Sequence, residues 1–444
     1  MLPTLAHAHE DGKANSPAMR FLLSSYGGRG DIEPAVVVGR ELQRRGHEIT
    51  IAVPPNLVGF AQAAGLSAIA YGLDSTPILD LQRQYFTCYS RTPWKLKELG
   101  RMSRETAEFA NRCWQEMTTT LASAARDADL LLTGLIFEQP AANVAEYYDI
   151  PLVTLHYFPS RAHGQLLPFA PAALSRFGIT LNDWLAWRGT RKAENAQRRG
   201  LGLADATSPA PRRIADRGSL EIQAYDQVCF PGLVGEWAKW NDLRPPQRPF
   251  VGALAMASPT DADEEVAAWI AQGKPPIFFG FGSVPIGSPA DTIAMISSAC
   301  AQLGERAIIG AGGTDYSGVP QSDHVKVVGQ VNYATIFPTC RAVVHHGGAG
   351  TLAACLRAGV PQLILWTLPD QPFFAAQLRR MKVGAGRRFA TTTEKSLVAD
   401  LRRILAPECS ARARELAPQM TKPAESVAAA ADRVEEFARF NCAV

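Results

Sequence analysis

Apolar and polar positions along this chain switch repeatedly between two periods, and the switching predicts an α/β protein. Residues 20–25 form an apolar run of the kind that makes a strand buried on both faces. A glycine turn follows at Gly27-Gly28-Arg29-Gly30, and residues 34–45 then carry apolar side chains at helical spacing and close on Gly46. Residues 47–53 are the next apolar run, completing the strand–turn–helix–strand unit from which doubly wound parallel sheets are built. The same rhythm predicts helices over 57–64, 103–126 and 139–148, and strands over 67–71, 130–133 and 152–155. From residue 156 to about 217 the pattern loosens, prolines and glycines accumulate, and tryptophans appear. An inserted, irregular, ligand-specific region is expected there.

Residues 241–251 hold prolines at 245, 246 and 249 and read as a linker, because proline stops helices and favours extended backbone. Beyond it the alternation restarts. Strands are expected over 277–280, 307–309, 325–328, 342–344 and 362–365. Helices are expected over 291–304, from 351 to 357, and over 371–381, 395–405 and 424–440. A chain of 444 residues is too long for one ordinary core. The expectation is therefore two Rossmann-like α/β domains facing each other across a cleft, residues 19–240 and 252–423. Residues 1–18 are small and polar, without the apolar core of a secretory signal, and read as a disordered extension.

Composition narrows the function. A net charge of +3 is nearly neutral at this size and argues against a dedicated nucleic-acid binder. Eight scattered cysteines without a C-x-x-C pair disfavour a disulfide framework or a zinc knuckle, and suit a reducing cytoplasm. No window reaches the ~20 apolar residues that span a bilayer.

The chemistry concentrates in residues 342–371. A buried strand runs into His346, Gly347, Gly348, Ala349, Gly350 and Thr351, where a helix begins. Free N–H groups and the positive end of a helix dipole then face whatever sits in the turn, which suits phosphate. Asp370 and Gln371 follow the next strand and could hold hydroxyls at the same sheet edge. Gly282 and Ser283, in FGFGS, form another close-approach turn. A ligand that is part phosphate and part polyol fits, namely a nucleotide sugar. Asp31 either caps the first helix or acts as a general base at the mouth of the first domain. A nicotinamide site is disfavoured, since Glu33 stands where G-x-G-x-x-G needs its third glycine. The strings Asp127-Ala128-Asp129 and Asp261-Ala262-Asp263 read as structural rather than metal-binding. Arg188, Arg191, Lys192, Arg198, Arg199, Arg212 and Arg213 read as a solvated helix face, or, with Trp184 and Trp187, as a surface resting on anionic lipid.

Three motifs, SYGGRGDIEP, FGFGS and HHGGAGT with GVPQLILWTLPDQP, resemble those of family 1 glycosyltransferases of GT-B architecture, in the branch acting on antibiotics, sterols and mycobacterial glycopeptidolipids. The resemblance implies inverting transfer of a sugar from a UDP- or dTDP-sugar, a deoxysugar such as rhamnose being one candidate, to a hydroxyl of an apolar lipopeptide, glycolipid or other natural product. It implies no metal and no cofactor. Gly282, Ser283, His346 and the N–H groups of residues 347–351 would hold the diphosphate, and Asp370 and Gln371 the sugar. Gln330 and Val331 would meet the nucleoside. Asp31 would be the catalytic base, with Gly30, Glu138 and His156 on the acceptor side. The final segment, 424–444, would cross back to the first domain. Two positions depart from the family: Trp366 stands where many relatives have proline, and no aromatic is evident near Val328-Gly329 to stack on the base. The cysteine pattern points to the cytoplasm, and the basic segment with Trp184 and Trp187 leaves peripheral contact to the inner membrane face an option. An epimerase of the same architecture and a non-catalytic nucleotide-sugar binder are the competing readings.

Overall fold

The structure, a computed structural model, describes residues 17–92, 94–165, 171–256, 260, 262–282, 288–312, 322–368 and 370–442. Ser283 and residues 1–16 lie outside the described residues. Twelve strands form two six-stranded sheets among the described residues. The first contains β1 (Arg20–Ser24), β2 (Glu48–Val53), β3 (Ser67–Ala70), β4 (Leu130–Gly134), β5 (Leu152–His156) and β6 (Leu220–Gln223), ordered β3-β2-β1-β4-β5-β6. The second contains β7 (Ile277–Gly280), β8 (Ala307–Gly310), β9 (Val325–Val328), β10 (Ala342–His345), β11 (Gln362–Trp366) and β12 (Gly384–Arg388), ordered β12-β11-β10-β7-β8-β9. All neighbouring strands are parallel.

The two orders are the same topology. In each, the first strand lies beside the fourth, and there the winding direction reverses. A doubly wound sheet opens a crevice beyond the carboxyl ends of the strands at such a point. Asp31 follows β1 and His346 follows β10, so each sheet brings a candidate group to its own crevice. The strands are buried because helices cover both faces; all five residues of β4 and of β5 are buried.

The first helix spans Arg29–Arg44, beginning before the residue 34 read from sequence. Pro34 sits inside it and forfeits only its own bond to the Gly30 carbonyl. Asp31 in the first turn accepts the Gly28 N–H at 2.8 Å, so the turn is capped well ahead of the proline. The final helix, Pro423–Cys442, packs on Arg29–Arg44 and buries Ala430, Val434 and Phe437 in the same core as Ile32, Val36 and Leu42. Arg45 pins the contact through Asp432 at 2.6 Å and Glu435 at 3.3 Å. An aromatic seam joins the lobes elsewhere: Phe158 meets Phe373 and Phe374 edge-on at 5.2 and 5.6 Å, and Phe230 stacks on Phe373 at 5.5 Å.

The region expected to be an irregular insert is instead mostly helical. Ala172–Gly200 is a 29-residue helix and Ala210–Asp216 a second one. The expectation failed because apolar periodicity normally marks the inward face, and here the inward face is polar. Ser175, Glu194, Asn195, Gln197 and Arg198 are buried. The basic cluster is accordingly not a single solvated face: Arg198 pairs with Glu146 at 2.7 Å, and Arg213 bonds the buried Glu194. No helix among the described residues is long and apolar enough to cross a membrane.

Candidate functional site

Asp31 is half-buried at the crevice of the first sheet. Both its oxygens are engaged. The Tyr157 hydroxyl donates to Oδ1 at 2.6 Å, and the Gly28 N–H donates to Oδ2 at 2.8 Å. Tyr157 immediately follows β5, and the contact joins residues 126 apart in sequence. Loss of solvation pushes the Asp31 carboxyl above its ordinary value; the bonds from Tyr157 and Gly28 oppose that rise, and the Asp370 carboxylate across the cleft adds to it. Burial and the Asp31 charge hold the Tyr157 phenol well above its usual range, so it remains a donor. Gly27 makes the approach feasible. Its φ is +126°, and a Cβ there would lie 2.4 Å from Asp31 Oδ2.

The second crevice is built on a histidine pair. Successive residues at the end of a strand point to opposite sides, and the pair divides accordingly. His345 is fully buried and its Nε2 lies 3.0 Å from Gln362 Oε1, while Nδ1 accepts the Gly347 N–H at 3.2 Å. With Nδ1 accepting, the proton sits on Nε2. Burial, aided by the neighbouring His346, brings the His345 imidazole down to about 3, so it stays neutral and fixes the turn. His346 lies between two glycines: a Cβ on Gly282 would fall 2.9 Å from its Cε1, and one on Gly348 would fall 2.8 Å from its Nε2. Its Nδ1 is buried with no well-formed hydrogen bond among the described residues. Burial lowers the His346 imidazole, and the Gly280 backbone partly restores it.

The turn itself needs Gly347, whose φ is +102° and whose added Cβ would lie 3.0 Å from Gln371 Cβ. The helix Ala349–Ala358 then starts from Gly348 with no side-chain cap, so the N–H groups of Ala349, Gly350 and Thr351 are open to a ligand. Gly350 faces open space.

Asp370 occupies the start of the helix Gln371–Met381 without capping it through its side chain, and it is exposed to the cleft. Lost solvation pushes its carboxyl up, against nearby N–H groups of residues 370 and 371. The Asp370 charge acts on Asp31 from the second lobe, and Gly347 packs against Gln371 beside His346. Gln371 is differently employed. It is buried, and its Oε1 accepts the N–H groups of Thr367 at 2.7 Å and Leu368 at 2.9 Å, tying down the loop after β11. Trp366 at the end of β11 stands beside Arg388, whose guanidinium lies 4.9 Å from its ring centre. Gln330 reaches across the cleft and accepts from Arg29 Nη1 at 3.0 Å, whereas the Val331 side chain is buried in the core.

Glu138 and His156, expected on the acceptor side, stand just past β4 and at the end of β5 and are buried there. His156 is fully buried, with Nε2 3.0 Å from Thr154 Oγ1. Glu138 is buried and gripped by Arg161 at 2.7 and 3.0 Å; Arg161 also bonds Glu221, which holds Arg248 at 2.8 Å. Burial alone would raise the Glu138 carboxyl, but Arg161 and His156 bring it down to about 2. These groups neutralise one another inside the lobe and present almost no surface. Gly30 is exposed at the mouth. Asp129 accepts the Arg20 N–H at 2.7 Å and Asp263 accepts the Asn332 N–H at 2.8 Å, so both spend lone pairs on backbone. Among the described residues no cluster of His, Cys, Asp or Glu is placed to hold a metal ion.

Sequence reasoning missed Tyr157 and the role of His345. The first carried one signal, its position just past an apolar strand. Asp183 was missed too. It lies on the inner side of Ala172–Gly200, and burial lifts its carboxyl to about 6, with Arg161 opposing and Glu138 adding to the rise.

Residues 294–432 match the sequence profile of the C-terminal domain of erythromycin biosynthesis protein CIII-like enzymes. An uncharacterised glycosyltransferase of Mycobacterium tuberculosis is 58% identical over 424 residues, covering 95% of this chain and 99% of that protein. The crystal structure of the kitacinnamycin glycosyltransferase aligns with a TM-score of 0.68 at 17% identity, covering 95% of this chain and 99% of that one. The glycosyltransferase VinC, solved in complex with dTDP, aligns with a TM-score of 0.62 at 19% identity, covering 95% and 100%.

Proposed function

The chain belongs to the family 1 glycosyltransferases of GT-B architecture, and on that footing we propose that it moves a sugar, with inversion, from a nucleoside diphosphate to a hydroxyl of an apolar acceptor. The observation that carries the proposal is the carboxylate of Asp31, held by Tyr157 and Gly28 at the crevice of the first sheet. A general base must be held within hydrogen-bond reach of the proton it takes. Asp31 removes the acceptor proton while the acceptor oxygen forms its bond to the anomeric carbon from the side opposite the diphosphate. The glycosidic C–O bond to the diphosphate breaks in the same step, so the configuration inverts.

The leaving diphosphate gathers charge, and the second crevice meets it with the open N–H groups of residues 349–351 and the N–H of His346. Burial disfavours the charged form of His346. An arriving diphosphate favours its protonated form, so donor binding takes up a proton. Asp370 holds sugar hydroxyls, and Gln371 supports the site by fixing the loop beneath it. The base meets the backbone at Gln330 and Val331. A thymidine or uridine diphosphate sugar suits this frame, and the dTDP complex of VinC supports that class of donor. All eight cysteines are free, which supports work in a reducing compartment.

The test is a panel of dTDP- and UDP-sugars with apolar hydroxyl acceptors, read by nucleotide release and by the anomeric coupling constant of the product. Inverted product formed in the presence of a chelator supports the reading. Retention of configuration, epimerised donor without acceptor, or tight donor binding without turnover on any acceptor would each overturn it.

A further inference from the structure

The helix Ala172–Gly200 presents its apolar stripe to solvent. Leu174, Phe177, Leu181, Trp184 and Leu185 recur at i, i+3, i+7, i+10 and i+11 and so share one face. They are 57, 63, 41, 41 and 56% exposed. Both acidic residues of the helix point the other way. Glu194 is buried against Arg213 and the Trp187 indole N–H, and Asp183 leans toward Arg161 and Glu138. Three of the helix's cations point outward, unlike the buried Arg198: Arg188 extends the apolar face with its guanidinium 4.8 Å from the centre of the Trp184 ring, Arg191 stands over Trp187 at 5.1 Å, and exposed Lys192 follows one turn later. The outward surface of this helix is thus apolar along one half and cationic along the other, with no carboxylate on it.

A second display lies at the same end of the lobe. Trp94 and Leu96 are 72 and 74% exposed at the start of the helix Leu96–Ala124. That helix and Ala172–Gly200 both run from the carboxyl edge of the first sheet toward its amino edge, so they are parallel. The indole N–H of Trp114 donates to Gln197 at 2.8 Å and sets their register. Leu96 and Ile179 stand the same number of residues before that bond, about 27 Å along each axis at the helical rise. Both apolar displays therefore project beyond the edge on which Asp31 sits.

We propose that this face docks on a bilayer rich in anionic lipid, with the apolar stripe in the headgroup boundary and Arg188, Arg191 and Lys192 on lipid phosphates. Charge selects this occupant. The outward surface of Ala172–Gly200, whose only charges are cations, repels a second copy of itself, and an apolar stripe bordered by Arg and Lys matches a helix lying in the plane of a membrane surface. The docking deepens the apolar-acceptor reading by placing the cleft mouth beside the lipid phase, and it can fail while the transfer chemistry stands.

The experiment uses the full chain with vesicles of phosphatidylcholine alone or with about a third phosphatidylglycerol, separated by flotation. Binding is expected on the anionic vesicles, falling with salt, with a blue shift of tryptophan emission. Phe177→Glu with Leu181→Glu should weaken it by about tenfold or more, and Arg188→Gln with Lys192→Gln by a similar factor. The melting temperature and transfer to a water-soluble acceptor should be unchanged, because these side chains are exposed and lie outside the cleft. No flotation, flotation insensitive to both double variants, or a concentration-dependent dimer abolished by Phe177→Glu would overturn the proposal, the last by assigning the face to a second copy. Loss of transfer in solution without loss of flotation in a cleft variant would instead mark a failure of the chemistry alone.

Discussion

Removing one oxygen atom from Tyr157 isolates the electrostatics of the proposed base. In the parent, Asp31 receives two hydrogen bonds, at 2.6 Å from the phenol and 2.8 Å from Gly28. Phenylalanine keeps the ring and its packing and deletes one of them. A hydrogen bond to a charged group is worth about 1.5–3 kcal/mol, and water entering the cleft replaces part of it. Taking the lower end, at ~1.36 kcal/mol per pH unit, the Asp31 carboxyl rises by about one unit. The direction follows because the phenol favours the charged carboxylate, which is the state that lowers the value. A base works unprotonated, so the acidic limb of the kcat/KM profile for Tyr157→Phe should move to higher pH by about one unit, while the plateau changes much less. Stability reports the same shift independently. A carboxyl whose folded value lies above its unfolded value favours the fold when protonated, and that contribution is lost as pH rises through it. The variant's Tm deficit relative to the parent should therefore widen as pH rises. An acidic limb that stays in place, or moves to lower pH, would show that Tyr157 does not govern Asp31.

The remaining expectations concern other parts of the site. Gly27→Ala combines a φ of +126° with a Cβ 2.4 Å from Asp31 Oδ2; it should cost about 10²-fold in kcat/KM by displacing the base while calorimetric affinity for the nucleoside diphosphate holds, and a parent-like turnover would refute the placement. His346→Ala should weaken nucleoside diphosphate binding by about tenfold or more and abolish the proton uptake seen when binding heat is compared between buffers at mildly acidic pH; unchanged uptake would exclude His346 as the titrating group. Arg161→Met leaves Glu138 and Glu221 buried without their shared cation and should cost about 3–5 kcal/mol in denaturant unfolding at neutral pH. Because the Glu138 carboxyl is depressed from its ordinary 4.5 to about 2, the parent holds that stability above about 4.5 and loses it as pH falls toward 2. In the variant acid should relieve the buried charge, so an acid profile parallel to the parent's would contradict the network.

The fold was legible where burial on both faces forces apolar runs, as in β1, β4, β10 and β11, the first three with a glycine at or just past the strand end. It was illegible where an element breaks that logic. β12 reads Gly-Ala-Gly-Arg-Arg because it is an edge strand with only one neighbour to satisfy. The helix Ala172–Gly200 inverts the usual pattern, hiding Gln197 and Arg198 and showing Phe177. The candidate site was readable at glycine turns and strand ends, since backbone constraints are local: Asp31, Gly282, His346, Gly347 and Asp370 all follow strands. Roles that depend on distant partners were not. Tyr157 acts on Asp31 across 126 positions, and Glu138 changes character once Arg161 closes on it. Gln371 looks like a free amide in sequence and is a loop anchor in the fold.

One topology used twice explains how opposite demands coexist. A catalytic base needs negative charge, and a diphosphate cradle needs positive potential. On a single sheet edge the carboxylate would oppose the anion it must help to release. The repeated strand order gives each lobe its own crevice, so Asp31 sits in one and the open N–H groups beyond His346 in the other. Among the described residues Asp370 brings negative charge toward Asp31 from the second lobe, and its repulsion raises Asp31. A sugar seated between the two carboxyls would give Asp370 hydroxyl partners and hold the charges apart. Donor binding should then lower the Asp31 carboxyl, readying the base only when a sugar is present to be transferred. Comparing the acidic limb of kcat, which reports the donor-bound enzyme, with that of kcat/KM for the donor, which reports the free enzyme, decides the point: the kcat limb should lie at lower pH, and coincident limbs would remove Asp370 from the coupling.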